Sequence, residues 1–413
     1  MSDTSYRFFI YYGFEKTVIE AQVLTPVRLL EESGLHFKLV FMENFKTWLS
    51  YLLGGEEGKR FGRLKEFEFA VLPRIPKNFL WLNSLLVLFV LRGDLRRKKR
   101  VVIQARGFQA TQIALGLKKI FRKIRVICDV RGVESAEYDY SARLKSKELN
   151  FFQKWWLRKL TFYESRSLKE ANKNFCVSSS LIGHLKTFIP RSEQDWLHVP
   201  CAVKIPNLTS ESMLKARESK RDSLGLKDKL VVVYSGAIGP WHLPEKIAEI
   251  FAEILKIEPA SYFLGITPSI KELASVFGEH QIPPDKFKIL EVPFPEISST
   301  LIAGDIGLLL REDNPLNNFS CPTKFGEYLA AGLHIISTQA IFDVREIIEK
   351  EKVGTIIGDL NNPAEVGDRL KNAVASTKDW PARAAKSVSA AEKYFSWDHF
   401  LLKMKNVYLE LSK

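Results

Sequence analysis

Along most of the chain, short apolar runs rich in β-branched and aromatic residues alternate with longer stretches whose apolar positions recur every three or four residues. The first pattern is that of a strand buried on both faces, the second that of an amphipathic helix. In the first half, strands are expected over 6–12, 36–42, 100–105, 125–130 and 174–178. A helix should end at Gly34, and a long helix rich in aromatics and cations should run from about Lys147 to Ala171. Residues 202–228 have few bulky apolar side chains and many charges, and read as an inter-domain connection. The rhythm then restarts, with strands expected over 230–236, 261–266, 287–292, 305–310, 333–338 and 353–358. Helices should cover 243–255, 269–277, 322–331 and the C-terminal stretch. Such alternation predicts an α/β protein with two parallel sheets, each carrying helices on both faces, in two Rossmann-like domains. Ligands of such folds bind outside the carboxyl ends of the strands, here in an expected cleft between the domains.

The longest apolar run, residues 79–91, has thirteen residues and contains Asn83 and Ser84. A membrane-crossing helix needs about 20, so this one is not expected to span. Its flanks are basic (Arg74 and Lys77 before it, Arg92 and 96–100 after it), so it reads either as a buried helix or as one lying in a membrane interface. The chain of 413 residues carries a formal net charge of +13, which suits an anionic substrate, an anionic membrane surface or simple solubility. Nucleic acid is not expected as a partner, because the cations are scattered and no recognition module is present. The N-terminus has no basic segment followed by an apolar one, so no signal peptide is expected. The four cysteines, Cys128, Cys176, Cys201 and Cys321, are far apart and lack metal-ligand spacing. They read as small buried residues of a reduced compartment, and the expected location is cytoplasmic.

The stretch SCPTKFGEYLAAGLHIIST, residues 320–338, follows an expected strand and opens an expected helix. Pro322 suits a first-turn position, with Ser320 or Cys321 near the cap. A helix N-terminus aimed at a ligand offers free N–H groups to an anion such as phosphate, and Lys324 adds a full charge. Glu327 lies one turn on, on the face shared with Thr323 and Lys324. A carboxylate there suits paired hydroxyls such as those of a ribose, so the combination reads as a nucleoside diphosphate site. Ser235, Gly236 and Gly239 form a second glycine-rich strand-to-helix turn, with His242 just beyond it. His334 falls inside a buried strand pattern and reads as structural. In DVRGVESAEY, residues 129–138, Asp129 and Arg131 end a strand and Glu134 and Glu137 follow. Charges in that position read either as a surface ion-pair loop or as a site.

These stretches resemble family 4 glycosyltransferases of the GT-B fold, in the subset that builds bacterial surface polysaccharides. CPTKFGEYLAAGLHII is similar to their PxKxxEYLAxGxPVI signature, YSGAIGPWH to their nucleotide loop, and QARGFQA (104–110) and DVRGVESAEY to two motifs of their first domain. The C-terminal YFSWDHFLLKMKNVYLELSK is similar to their final helices. The resemblance implies a first, acceptor domain over 1–205, a nucleotide-sugar domain over 206–395, and a helix over 396–413 that packs back on the first. It implies retaining transfer from a nucleotide-diphosphate sugar to a glycan or lipid-linked acceptor, with no cofactor and no obligatory metal, at the inner face of the cytoplasmic membrane. By position, Lys324, Asp129 and Arg131 would be catalytic. The donor would contact Gly13, Ser235, Gly236, His242, Arg311, Ser320, Pro322, Thr323, Lys324 and Glu327. The acceptor would contact Arg106, Asp129, Arg131 and Glu137. Two departures stand out. Phe319 occupies the place of a glutamate that touches the donor sugar, and Ala237 and His242 stand where relatives carry an arginine and a lysine. Arg311, Lys324 or His242 would then supply the phosphate clamp. The departures keep two alternatives open, a non-catalytic nucleotide-sugar-binding scaffold and a GT-B nucleotide-sugar epimerase.

Overall fold

The structure is a computed structural model that describes residues 4–14, 19–76, 79–146, 148–206 and 210–413. Lys77 and Lys147, named above as a basic flank and a helix start, lie outside the described residues. The described residues divide into two compact units, Met1–Val199 with Phe400–Lys413, and Pro200–His399.

In the first unit the strands are β1 (Thr4–Ile10), β2 (Phe37–Glu43), β3 (Glu68–Pro73), β4 (Arg100–Arg106), β5 (Ile124–Val130), β6 (Lys173–Cys176) and β7 (Trp196–His198). They form one parallel sheet in the order β3-β2-β1-β4-β5-β6-β7. The expected first-half strands all form. β3 and β7, the two edges, were not expected. β3 ends at Pro73, which cannot donate to a ladder, and β7 has three residues. The helices this unit uses below are α1 (Thr25–Glu32), α2 (Phe45–Leu52), α3 (Leu80–Arg96), α4 (Phe108–Ile120), α5 (Glu134–Arg143), α6 (Phe151–Glu170) and α7 (Ser179–Lys186). The apolar run 79–91 forms the first part of α3, and no described helix is long and apolar enough to cross a membrane. α6 starts at a full capping box, in which Asn150 and Gln153 satisfy each other's backbone N–H groups.

The second unit opens with α8 (Ser210–Leu224), in the stretch expected to be a connection. Its strands are β8 (Leu230–Ser235), β9 (Ser261–Ile266), β10 (Phe287–Leu290), β11 (Ile306–Leu309), β12 (His334–Thr338) and β13 (Gly354–Ile357). All are parallel, in the order β10-β9-β8-β11-β12-β13. Between and after them run α9 (Pro244–Ile257), α10 (Ile270–Glu279), α11 (Phe294–Leu301), α12 (Thr323–Ala330), α13 (Phe342–Glu351), α14 (Pro363–Ala375) and α15 (Trp380–Phe395). α16 (Trp397–Leu411) closes the chain, and from Phe400 on it belongs to the first unit. There Tyr408, fully buried, meets the rings of Tyr6, Phe37 and Phe175 and donates to Gln104 Oε1.

The charges of α8 explain why it is not a linker. Arg217 and Arg221 point inward to Asp305, at the start of β11, with N–O distances of 2.5 and 3.1 Å. Arg383 of α15 reaches the same carboxylate at 3.2 Å, and the Val231 N–H donates to it at 2.9 Å. All four side chains are buried. Burial alone would raise the Asp305 pKa, but the three guanidinium groups and the N–H outweigh it and hold the carboxyl below its ordinary range. Such a depressed pKa contributes stability at neutral pH that is lost as pH falls through the acid range. Asp305→Ala, which leaves three buried cations without their counter-charge, should cost about 3–5 kcal/mol. The measurement is the urea midpoint of the second unit's transition. An unchanged midpoint would show that water already screens the cluster.

Candidate active site

Two sites take shape, one in each unit. In the second, the strand ends β8 and β11 are tied to α12 by one side chain. The Tyr328 hydroxyl accepts from the Ser235 N–H at 2.8 Å and donates to the Leu308 carbonyl at 3.4 Å. Its ring lies over Gly307, where a Cβ would come within 2.5 Å of it. A glycine is therefore required in the middle of β11 for α12 to sit this close. Gly236 follows with φ +103°, a left-handed conformation that favours glycine, and a Cβ there would stand 3.3 Å from Lys324 Nζ.

Lys324 is buried at the start of α12. Its Nζ stands 3.9 Å from the centre of the Tyr234 ring and has no hydrogen-bond partner. Arg311, also buried, donates to the Leu310 carbonyl, and Thr338 fixes its backbone from both sides. Among the described residues no carboxylate pairs with either cation. Burial pulls the Lys324 pKa well below its usual value, and Arg311 pulls it further. Glu327 works the other way without reaching ion-pair distance. Burial lifts the Glu327 carboxyl to about 7, against the pull of Lys324. His242 lies within the field of the same two cations. Burial first, then Arg311 and Lys324, hold its pKa down to about 2, and its Nδ1 is buried without a partner. Of the clamp candidates Arg311, Lys324 and His242, the structure brings all three together. Two buried basic side chains and an unprotonated imidazole thus lie near a glycine turn, and among the described residues no carboxylate pairs with either base, an arrangement suited to an anion.

The other residues predicted for this site lie around it. Ser320 is used locally, its hydroxyl donating to the Asn317 carbonyl at 2.9 Å. Pro322 is the N-cap of α12 rather than a first-turn residue, so neither Ser320 nor Cys321 caps it. The α12 N-terminus has no side-chain cap, which leaves its first N–H groups open to a ligand. Thr323 is the first residue of that helix. Phe319 packs edge-on against Phe342 with ring centres 5.7 Å apart, so an apolar pair stands at the position where a donor-binding glutamate was the expectation. His334 is structural, held between Thr355 and Ser376 at 2.8 and 3.0 Å. Sequence reasoning missed Tyr234 and Tyr328, which support Lys324 and the turn. Their signal was tyrosine at buried positions, where a hydroxyl must find a partner.

The second site is a cavity of about 510 Å³ in the first unit, lined by Gly13, Arg106, Arg131, Glu134, Glu137 and Trp156 among others. Gly13, expected at the donor, has φ +84° and lies against the Glu43 carboxylate, which accepts from the Phe14 N–H. Asp129 is 1% exposed and does not line the cavity. It orients Arg131 through contacts of 2.8 and 3.0 Å and accepts from Gln104 at 3.0 Å. Arg106 donates to Gln22 and stands 3.9 Å from Asp129. Glu134 caps α4 from outside, accepting from the Phe108 N–H at 3.0 Å. Burial raises its pKa to about 7. Glu137 lies over Gly132, and burial raises its pKa as well. The cavity thus offers two arginines and two carboxyls that water does not fully solvate, together with the indole of Trp156.

No family model matches the chain, and no curated protein matches it by sequence. Solved structures do match its fold. Sucrose-phosphate synthase from Thermosynechococcus elongatus superposes with a TM-score of 0.69 at 12% identity, over 98% of this chain and 99% of that one. HepE of Anabaena, in complex with UDP, gives 0.70 at 12%, over 98% and 100%. WaaG, described as a glycosyltransferase of lipopolysaccharide biosynthesis, gives 0.66 at 13%, over 97% and 99%. The chain therefore has the GT-B fold of these enzymes, with two Rossmann-like domains.

The field at His242 makes a sharp expectation. Its imidazole should stay neutral through the pH range around 6.5 where an ordinary histidine gains its proton. Nitrogen-15 NMR of the imidazole checks this, and a His242 signal that moves near pH 6.5 would mean the two cations are solvated rather than buried.

Proposed function

We propose that the protein is a retaining glycosyltransferase. It moves a sugar from a nucleotide-diphosphate sugar to a glycan or lipid-linked acceptor in surface polysaccharide synthesis. The observation that carries this reading is the buried pair Lys324, beside Gly236, and Arg311, with which no carboxylate pairs among the described residues. A diphosphate supplies the missing negative charge. When the glycosidic bond to the donor breaks, charge builds on the leaving phosphate oxygen, and these cations and the α12 N-terminus stabilise it where water is excluded. That electrostatic role needs no obligatory metal. Glu327 takes the ribose hydroxyls, and the turn at Ser235 and Gly236, which carries no Cβ at Gly236, lets the diphosphate approach the backbone closely. The HepE structures with UDP, with UDP and glucose, and with UDP-glucose support a uridine nucleotide as the first donor to try.

The acceptor is assigned to the cavity of the first unit. Arg131 and Arg106 take its anionic or hydroxyl groups, Asp129 positions Arg131, and Glu137 accepts from a sugar hydroxyl. The acceptor domain is thus the first unit and the nucleotide-sugar domain the second. The protein works in the cytoplasm, held peripherally at the inner face of the membrane. A second reading, a nucleotide-sugar-binding scaffold without activity, draws on the Phe319–Phe342 pair in place of a sugar-binding carboxylate.

Thermal-shift and calorimetric titration with nucleoside diphosphates tests the donor site. UDP should stabilise the wild type by mass action. Lys324→Met should bind about 10- to 100-fold more weakly, the worth of a charged hydrogen bond. The same variant should melt higher than wild type without ligand, since it removes an unpaired buried ammonium. No stabilisation by any nucleoside diphosphate would overturn the donor assignment. Product anomers read by NMR then test retention, and polysaccharide output unchanged by Glu327→Ala in cells would favour the scaffold.

A further inference from the structure

We propose that the outward faces of α3 and α6 together form a docking surface for an anionic lipid bilayer. This deepens the membrane clause of the proposed function and does not depend on its donor chemistry. α3 buries Leu80, Asn83, Val87 and Leu91, and turns Trp81, Leu85 and Phe89 to solvent one turn apart. Trp81 is 65% exposed and Phe89 61%. α6 buries Trp156, Leu160 and Leu168, and turns out Phe151, Phe152, Trp155 and Phe162, with Phe151 77% exposed. Both helices pack on α4. Ser84 of α3 donates to the Ile113 carbonyl at 3.3 Å, and Gln112 of α4 donates to Ser167 of α6 at 2.8 Å. Tyr163 of α6 packs on the same apolar cluster as Leu86 and Val90 of α3. The two helices therefore both border α4, and each leaves its aromatic stripe exposed to solvent.

Charge selects the occupant. Arg92 and Arg96 lie exposed at one end of the α3 stripe, and Lys154 and Arg158 lie within that of α6. Arg92 stands 4.0 Å from the Phe89 ring centre, and Lys159 Nζ 4.9 Å from that of Trp155. The carboxylates of both helices are engaged elsewhere: Asp94 with Arg7, Glu164 with Ser135, and Glu170 with Arg166. The surface is thus aromatic and apolar with cations and no free acid, the composition that binds at the headgroup level of anionic membranes. A second copy meeting this face symmetrically would set cations against cations. α3 is too short to span, so it lies in the plane of the interface.

The test is co-sedimentation of the full chain with phosphatidylcholine vesicles, alone and mixed with phosphatidylglycerol. Binding should require the anionic lipid, weaken with salt, and shift tryptophan emission to the blue. Trp81→Ser with Phe89→Ser, and Phe151→Ser with Trp155→Ser, should each weaken binding about tenfold or more. Lys154→Gln with Arg158→Gln should weaken it about fivefold per cation. All three double variants should keep the wild-type response to nucleoside diphosphates, which separates this proposal from the donor assignment. Binding unaffected by any of the substitutions would overturn it. So would a concentration-dependent dimer, seen by sedimentation without vesicles and abolished by the same changes.

Discussion

One carboxylate with three guanidinium groups sets the frame of the second unit. Asp305 draws in Arg217 and Arg221 from α8 and Arg383 from α15, and receives the Val231 N–H from β8. Its neighbours use the spare donors. Arg217 also donates to the Ile302 and Gly304 carbonyls, Arg221 to that of Ala303, and Arg383 to those of Gly332 and Thr377. An ionic cluster that leaves the solvent this completely is tolerated only when its hydrogen bonds are met. Here they are, and the result is a fixed reference between the turn entering β11, the turn leaving α12, and the two helices that cover them. The far end of β11 carries Arg311, so the position of the candidate anion site is inherited from this cluster.

The candidate site inverts that arrangement. At Asp305 each of three guanidinium groups has the carboxylate as a partner, and their other donors are met by backbone carbonyls. At Lys324 and Arg311 the charges are buried to a similar degree but left unbalanced, and Lys324 Nζ has an aromatic face instead of an acceptor. A protein does not gain stability this way, because an unpaired buried cation is destabilising. The arrangement makes sense if the negative charge arrives with a ligand, whose binding then recovers what folding gave up. Glu327 and His242 follow from the same field, one carboxyl lifted toward neutrality and one imidazole kept unprotonated.

Much of this was legible in the chain. The βα rhythm located every central strand, because strands buried on both faces have an unmistakable apolar run. β3 and β7 escaped it: β3 has only the short run 69–72 before Pro73, and β7 has three residues. α8 reads as a connection because its charges, on their own, suggest solvent. Arg217 and Arg221 face a partner some 85 residues away, and sequence spacing carries no trace of Asp305 as their target. At the site, Lys324, Glu327 and Gly236 could be singled out from local pattern, whereas Tyr328's double hydrogen bond and Glu134's cap on α4 join elements that only the fold brings together.

The first unit is discontinuous in sequence, since its last fourteen residues follow the whole of the second. Tyr408 fills the space between Tyr6, Phe37 and Phe175, and Lys173 pairs with Glu410 at 2.9 Å. During synthesis, a ribosome delivers the complete second unit as one uninterrupted stretch, while the first waits with an open gap in its aromatic core until the final helix emerges. The order of maturation is therefore reversed relative to the order of translation: the later-made half can finish first, and the earlier-made half is completed last. A chain stalled before residue 408 would carry a first unit whose aromatic core lacks Tyr408, open to chaperones and proteases.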